Sequence, residues 1–148
     1  LSIKGLTPGA AVHLAECCHP IPGDRIVGIR ASGKGVLVHT IDCDQLEAFA
    51  HVPDRWLDLS WQPPDERPES FVARLAVVLA NEPGSWAAVA TLLASNDANI
   101  ANLKLGHRDA QFHTYVLDVE VSDLSHLTNI IAALRAARVV SSVERVRD

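Results

Sequence analysis

The sequence predicts an α+β chain in two parts, and three observations carry that reading. Residues 61–70, "WQPPDERPES", interrupt the apolar patterning with prolines and charges, as a linker does. Before them, residues 6–60 are rich in Gly and Pro and hold only short apolar runs. After them, residues 71–148 alternate strand-like and helix-like periodicities in a regular order. With 148 residues, 48% of them apolar, the chain suffices for one domain of ordinary size or two small ones.

In the first part, "RIVGI" and "GVLVHTI" flank "RASGKG" and predict a β-hairpin or two strands around a Gly-rich turn. A short helix near "DQLEAF" follows. A segment this small has little core of its own and gains from a staple such as a structural metal. In the second part, residues 72–80 place Leu75, Val77 and Leu79 on one strand face, and "NEPG" ends that strand. Residues 84–96 put Trp86, Val89, Ala90 and Leu93 on one helical stripe, and "NDAN" stops it. "IANLKLGH" and "FHTYVLDVEV" are two strands joined at "RDA", the second with Tyr115, Leu117, Val119 and Val121 inward against Asp118 and Glu120 outward. Ser122 or Asp123 caps a helix with the stripe Leu124, Leu127, Ile131 and Leu134, and "RVVSSVERV" supplies a last strand. The order β-α-β-β-α-β is the ferredoxin-like split βαβ arrangement, two helices on one face of a four-stranded antiparallel sheet.

The formal net charge of -5 gives no global drive toward nucleic acid, although a local basic patch is compatible with it. No apolar run approaches the roughly 20 residues that cross a bilayer, and the N-terminus lacks signal-peptide regions, so a cytoplasmic setting is expected. Three cysteines, two of them adjacent, fit reduced thiols better than a disulfide framework. The chain starts at Leu1 and has no methionine, which reads as a fragment of a longer protein with a regulatory role toward something upstream.

Two constellations carry chemistry. Cys17 and Cys18 in "AECCHPIPG", with His39 and Cys43 in "VLVHTIDCDQL", supply three thiolates and an imidazole, a closed tetrahedral set for structural zinc. Adjacent residues of a regular strand point to opposite faces, so convergence demands a kinked backbone at Cys17–Cys18. The competing readings are buried core thiols with a solvent-facing His39, a Cys-His nucleophilic pair, and a vicinal redox disulfide. His13, His51, His107, His113 and His126 do not cluster and read as surface or packing residues. In "ANEPGSWAAVATLL" a strand passes through a turn into a helix, so amides around Gly84, Ser85 and Trp86 can receive a carboxylate at the positive end of the helix dipole. Asn81 adds a carboxamide beside them, and Asn99, Ile100 and Ala101 offer an apolar wall with another polar handle. Read without function, the same residues are a Pro-Gly turn and a helix stop.

The run "HLAECCHPIPGDRIVGIRASGKGVLVHTIDCDQL" resembles the cysteine-rich, zinc-finger-like segment of RelA/SpoT-family stringent-response enzymes, which make and degrade (p)ppGpp. Paired cysteines, the P-x-P-G-D turn, G-x-G before the strand and H-x-x-x-C carry the match. The resemblance implies Cys17, Cys18, His39 and Cys43 as zinc ligands and a ribosome-intersubunit role, with Arg25, Arg30 and Lys34 as basic contacts. Residues 72–147 resemble an ACT domain, a module that commonly dimerises and binds amino acids at the interface. Asn81 to Gly84 stand at its Asn-x-x-Gly turn and Asn99-Ile100 at its later Asn-Ile, while Trp86 departs from the usual leucine. Together these imply a non-catalytic regulatory fragment of a bifunctional alarmone synthetase/hydrolase, whose catalytic domains lie upstream. Valine or isoleucine is the expected effector, bridging two copies and favouring hydrolysis. Two other readings remain: a ribosome- and tRNA-binding module with a purely structural ACT domain, and the regulatory part of an amino-acid biosynthetic enzyme.

Overall fold

A computed structural model describes residues 3–31, 33, 35–63 and 69–146, in two compact units divided between residues 63 and 69. The first unit begins with β1 (Ile3–Lys4) and β2 (Val12–Leu14), then the hairpin β3 (Ile26–Ala31) and β4 (Gly35–Thr40). Two 3₁₀ turns, Asp44–Phe49 and Pro53–Arg55, lead to β5 (Trp56–Asp58) and β6 (Ser60–Trp61). The "DQLEAF" helix is thus 3₁₀, as suits a six-residue run whose only buried residue is Leu46.

The main sheet has the order β2-β4-β3-β5, with β2 parallel to β4 and the other pairs antiparallel. β1 pairs with β6, so Trp61, at the start of the expected linker, stands in a strand opposite Ile3. Alternation along β3 and β4 divides the core in two. Ile26, Val36 and Val38 pack with Ile3 and Leu59 in one cluster. Val27 and Ile29 pack with Ala15, Cys18, Cys43 and Leu46 in the other.

The second unit runs β7 (Phe71–Ala80), α1 (Ser85–Ser95), β8 (Asn99–Arg108), β9 (Phe112–Val121), α2 (Leu124–Arg135) and β10 (Val140–Arg145). Its sheet order is β10-β7-β9-β8, antiparallel throughout, as expected for the split βαβ arrangement. β7 buries every second residue from Phe71 to Leu79, and Leu117, Val119 and Val121 face the same side. α1 buries Val89 and Leu93 against them. α2 uses Leu127, Ile130 and Leu134, with Ile131 only half-buried, so the expected stripe is shifted by one residue at that position. Of the two expected caps it is Asp123 that acts, its Oδ1 accepting the His126 N–H at 2.8 Å.

β8 differs from its neighbours. It lies at the sheet edge, and all ten of its residues are exposed. Ile100, Leu103 and Leu105 stand opposite Val119, Leu117 and Tyr115, yet remain 37%, 42% and 48% exposed. Three large apolar side chains therefore line an open edge strand, an arrangement that natural sheets ordinarily cover.

Candidate functional site

The cysteine-side cluster of the first unit includes Cys17, Cys18 and Cys43, which with His39 could hold a metal. His39 stands opposite Val27 in the β3–β4 register, so its side chain rises on the face that packs Val27 with Cys18 and Cys43. It is 4% exposed, which removes the solvent-facing reading. Glu16, Cys17 and Cys18 form a turn, and the following His19 has φ 47°, the left-handed region that a non-glycine residue rarely enters. That turn supplies the kink which lets adjacent cysteines face one point.

One ligand atom from each of Cys17, Cys18, His39 and Cys43 lies within 4.8 Å of all the others. Cys17 Sγ is 3.5 Å from Cys43 Sγ and 4.0 Å from Cys18 Sγ. His39 Nδ1 is 3.4 Å from Cys17 Sγ and 3.9 Å from Cys18 Sγ. A tetrahedral ion bonded at about 2.3 Å to sulfur and about 2.0 Å to nitrogen holds its sulfurs about 3.8 Å apart and sulfur from nitrogen about 3.5 Å. The four separations bracket those values, so the residues fit a zinc-sized ion, with Nδ1 the ligating nitrogen. His39 Nε2 is buried with no partner among the described residues.

The electrostatics follow from burial. Desolvation, then hydrogen bonding with Cys43 and the charge of Cys18, pushes the Cys17 thiol up to about 12. Burial also raises Cys18, against the Thr40 N–H that donates to its sulfur at 3.3 Å. Burial lowers His39, keeping the imidazole neutral and able to ligate. A cation would replace the lost hydration and hold all three sulfurs as thiolates.

In the second unit the structure separates the expected ligand residues into two groups. Gly84, at φ 84°, is the N-cap of α1 in the left-handed conformation that a glycine adopts without strain. No acidic side chain stands in the first turn of α1 to offset its dipole. The amides there are not all free, because Ser85 N–H donates to Glu82 O at 3.3 Å. Ser85 is 4% exposed, and its Oγ has no partner among the described residues. Asn81 is tied to the β8–β9 hairpin, its Nδ2 donating to Asp109 O at 2.8 Å.

Asn99 and Ile100 sit at the opposite end of α1. They line a cleft of about 500 Å³ with Ala90, Leu93, Ala94, Asp97 and Ala98. An 11-residue helix is about 16 Å long, so a single copy holds the Gly84 group and the Asn99 group well apart. Ala101 follows in the exposed edge strand.

Sequence reasoning missed two aromatic neighbours. Tyr115 lies 5.1 Å from Trp86 between ring centroids, and its hydroxyl is 3.4 Å from His113 Nδ1. The strand parity that set Tyr115 inward with Leu117 was the available signal. In the first unit Arg25 and Arg30 are exposed, while Lys34 lies outside the described residues. Arg55, also missed, lies over the Phe49 ring at 5.4 Å and donates from Nε to Arg30 O.

Comparison with known proteins gives matches to both units. The ACT domain family matches residues 67–145, more than half of the chain. The chain belongs to the ACT domain family. The RelA/SpoT RIS domain matches residues 1–62, ahead of the ACT domain. GTP pyrophosphokinase rsh of Brucella abortus is 42% identical over 146 residues, covering 99% of this chain and 19% of that protein. Bifunctional (p)ppGpp synthase/hydrolase SpoT of Escherichia coli is 28% identical over 148 residues, all of this chain and 21% of that protein. The crystal structure of the ACT domain from a Chlorobium tepidum GTP pyrophosphokinase aligns at a TM-score of 0.46 with 26% identity, covering 53% of this chain and 100% of that one. The chain thus spans about a fifth of the length of the curated relatives it matches, and that fifth holds RIS and ACT domains. This is a regulatory region of the RelA/SpoT type, and the biosynthetic-enzyme reading falls with the RIS match. No helix among the described residues is long and apolar enough to cross a membrane.

Proposed function

We propose that this region senses a branched-chain amino acid, valine or isoleucine, and that binding favours alarmone hydrolysis by catalytic domains elsewhere in a longer cytoplasmic protein. The observation that carries the reading is the separation of the two groups along α1. One ACT copy offers amides and a buried hydroxyl, unpartnered among the described residues, at Gly84, Ser85 and Trp86; the cleft lined by Asn99 and Ile100, with Ala101 next in β8, lies toward the other end of α1, a helix about 16 Å long. A free amino acid is far shorter than that, so one ligand reaches both groups only when a second copy brings its own Asn99 end to the first copy's Gly84 end. The exposed edge strand β8, with Ile100, Leu103 and Leu105 uncovered, is the surface on which such a homodimer forms.

In this arrangement the ligand carboxylate meets the Gly84 and Trp86 amides and Ser85 Oγ. The ammonium meets the carboxamide of Asn81 or of Asn99, and the aliphatic side chain packs on Ile100 with Trp86 closing the pocket. Binding alters the catalytic balance only through a difference in affinity for two states of the whole protein. In the RIS unit, structural zinc on Cys17, Cys18, His39 and Cys43 holds residues 6–60 together. Arg25 and Arg30, both exposed, serve as basic contacts to ribosomal RNA, and Lys34, outside the described residues, is a third candidate.

Isothermal titration calorimetry against the twenty amino acids tests the reading. Saturable heat with valine or isoleucine, lost in Asn81→Ala with RNA binding intact, is the expected result. Silence across the panel, together with RNA affinity that falls steeply with salt, would leave the ACT domain as a purely structural part of a ribosome-binding module.

A further inference from the structure

We propose that Cys17 and Cys43 form a peroxide-sensitive thiol pair, closing to an intramolecular disulfide that dismantles the cysteine-histidine cluster. Of the three free cysteines, Cys18 is 0% exposed and Cys43 5%, whereas Cys17 is only half-buried and is the sulfur a small oxidant reaches first. Its nearest sulfur is Cys43, at 3.5 Å, against 4.0 Å for Cys18. A disulfide needs about 2.05 Å, so the first pair closes by an approach of about 1.5 Å. Bridging the adjacent Cys17 and Cys18 would instead close a strained eight-membered ring across the peptide bond that joins them. Cys43 precedes a 3₁₀ turn and Cys17 stands in the turn after β2, so their union joins two loops and leaves the sheet pairing untouched.

The chemistry balances with a hydroperoxide as oxidant. The Cys17 sulfur attacks one peroxide oxygen as its S–H proton is given up, the O–O bond breaks, and the other oxygen takes that proton and leaves as water, with Cys17 now a sulfenic acid. The Cys43 sulfur attacks that sulfur as its S–H proton is given up, the S–O bond breaks, and the departing hydroxide takes that proton to become a second water. Two thiols lose two electrons and one hydrogen peroxide becomes two waters. Two of the four donors are thereby consumed, leaving only Cys18 and His39, too few for a closed tetrahedral site.

The proposal stands on the sulfur geometry and rests on the metal reading only for its consequence. The test is hydrogen peroxide treatment of the 148-residue chain, both as purified and after chelation, with metal content measured beforehand. Expected are a fall from three titratable thiols to one, a Cys17–Cys43 crosslinked peptide on mapping, and release of any zinc present. Cys18→Ser retains the crosslink, and Cys17→Ser and Cys43→Ser lose it. If those two variants do not fold, alkylation mapping of the native chain gives the same answer. A Cys17–Cys18 bridge, an intermolecular disulfide, a Cys17 sulfinic acid without crosslink, or three unreacted thiols each overturns the proposal. A chain that holds no metal yet forms the crosslink upholds it while removing the zinc reading; a zinc-holding chain that forms none does the reverse.

Discussion

On the proposal that a metal binds Cys17, Cys18, His39 and Cys43, its removal from the RIS unit perturbs ligands and core together. Its core consists of two small clusters, and Cys18 and Cys43 belong to one of them, so the ligands and the packing are the same residues. An ion held at a thousandfold above its dissociation constant stabilises the folded unit by about 4 kcal/mol. For a unit of about 60 residues, each kcal/mol moves the midpoint by about 4–8 °C. Chelation should then lower the melting temperature of this unit by about 16–32 °C and leave the ACT unit, with its separate core, where it was. Amide signals followed with temperature by NMR separate the two units. Because burial raises the Cys17 and Cys18 thiols, metal uptake expels their protons, so affinity weakens as pH falls and strengthens as it rises toward the Cys17 value of about 12. A RIS unit whose midpoint ignores chelator, or a zinc affinity indifferent to pH, would refute the reasoning.

Three further outcomes follow from the ACT unit. Asp123→Ala removes the α2 cap and should cost about 1 kcal/mol in urea unfolding, whereas Asp123→Asn, which keeps an acceptor for the His126 N–H, should cost little. Leu117→Ala, at a fully buried position of the central sheet, should cost about 2–5 kcal/mol, and a loss near zero would contradict the packing described. Asp109 accepts the Phe112 and Gln111 amides, which hold its carboxyl below the ordinary range. A depressed native pKa contributes stability above the unfolded value and loses it as pH falls through the native one. Asp109→Ala should therefore melt lower than the parent at neutral pH and converge with it in acid, as thermal scans over pH will show.

Legibility tracked how local the cause was. β7 reads directly, because its run FVARLAVVLA is apolar but for Arg74 and is closed by a turn, and the structure buries its alternate residues. The hairpin of β3 and β4 reads equally well from two β-branched runs around glycines. In α2 the neighbouring Ile130 and Ile131 are equally apolar, and which one faces the sheet depends on the packed angle of the helix. The parallel pairing of Val12–Leu14 with β4 and the three-residue β5 leave no periodic trace at such lengths. The metal set was legible as residue types, but its convergence required the left-handed His19 turn, which sequence indicates only as a departure from regular strand. The apolar residues of β8 look like those of a covered strand; their exposure follows from its place at the sheet edge. The Trp86–Tyr115 contact is likewise tertiary, joining a helix start to a strand 29 positions later.

The measurement that bears most directly on a shared amino-acid site is calorimetry on a mixture of two binding-defective variants, Asn81→Ala and Asn99→Ala. If each site takes its Asn81 end from one copy and its Asn99 end from the other, each variant alone is silent. Random mixing in equal amounts makes about half of the dimers mixed, each with one intact site of two, so valine or isoleucine heat should return at about a quarter of the native stoichiometry. A mixture as silent as its components, or full binding by either variant alone, would contradict a site divided between two copies.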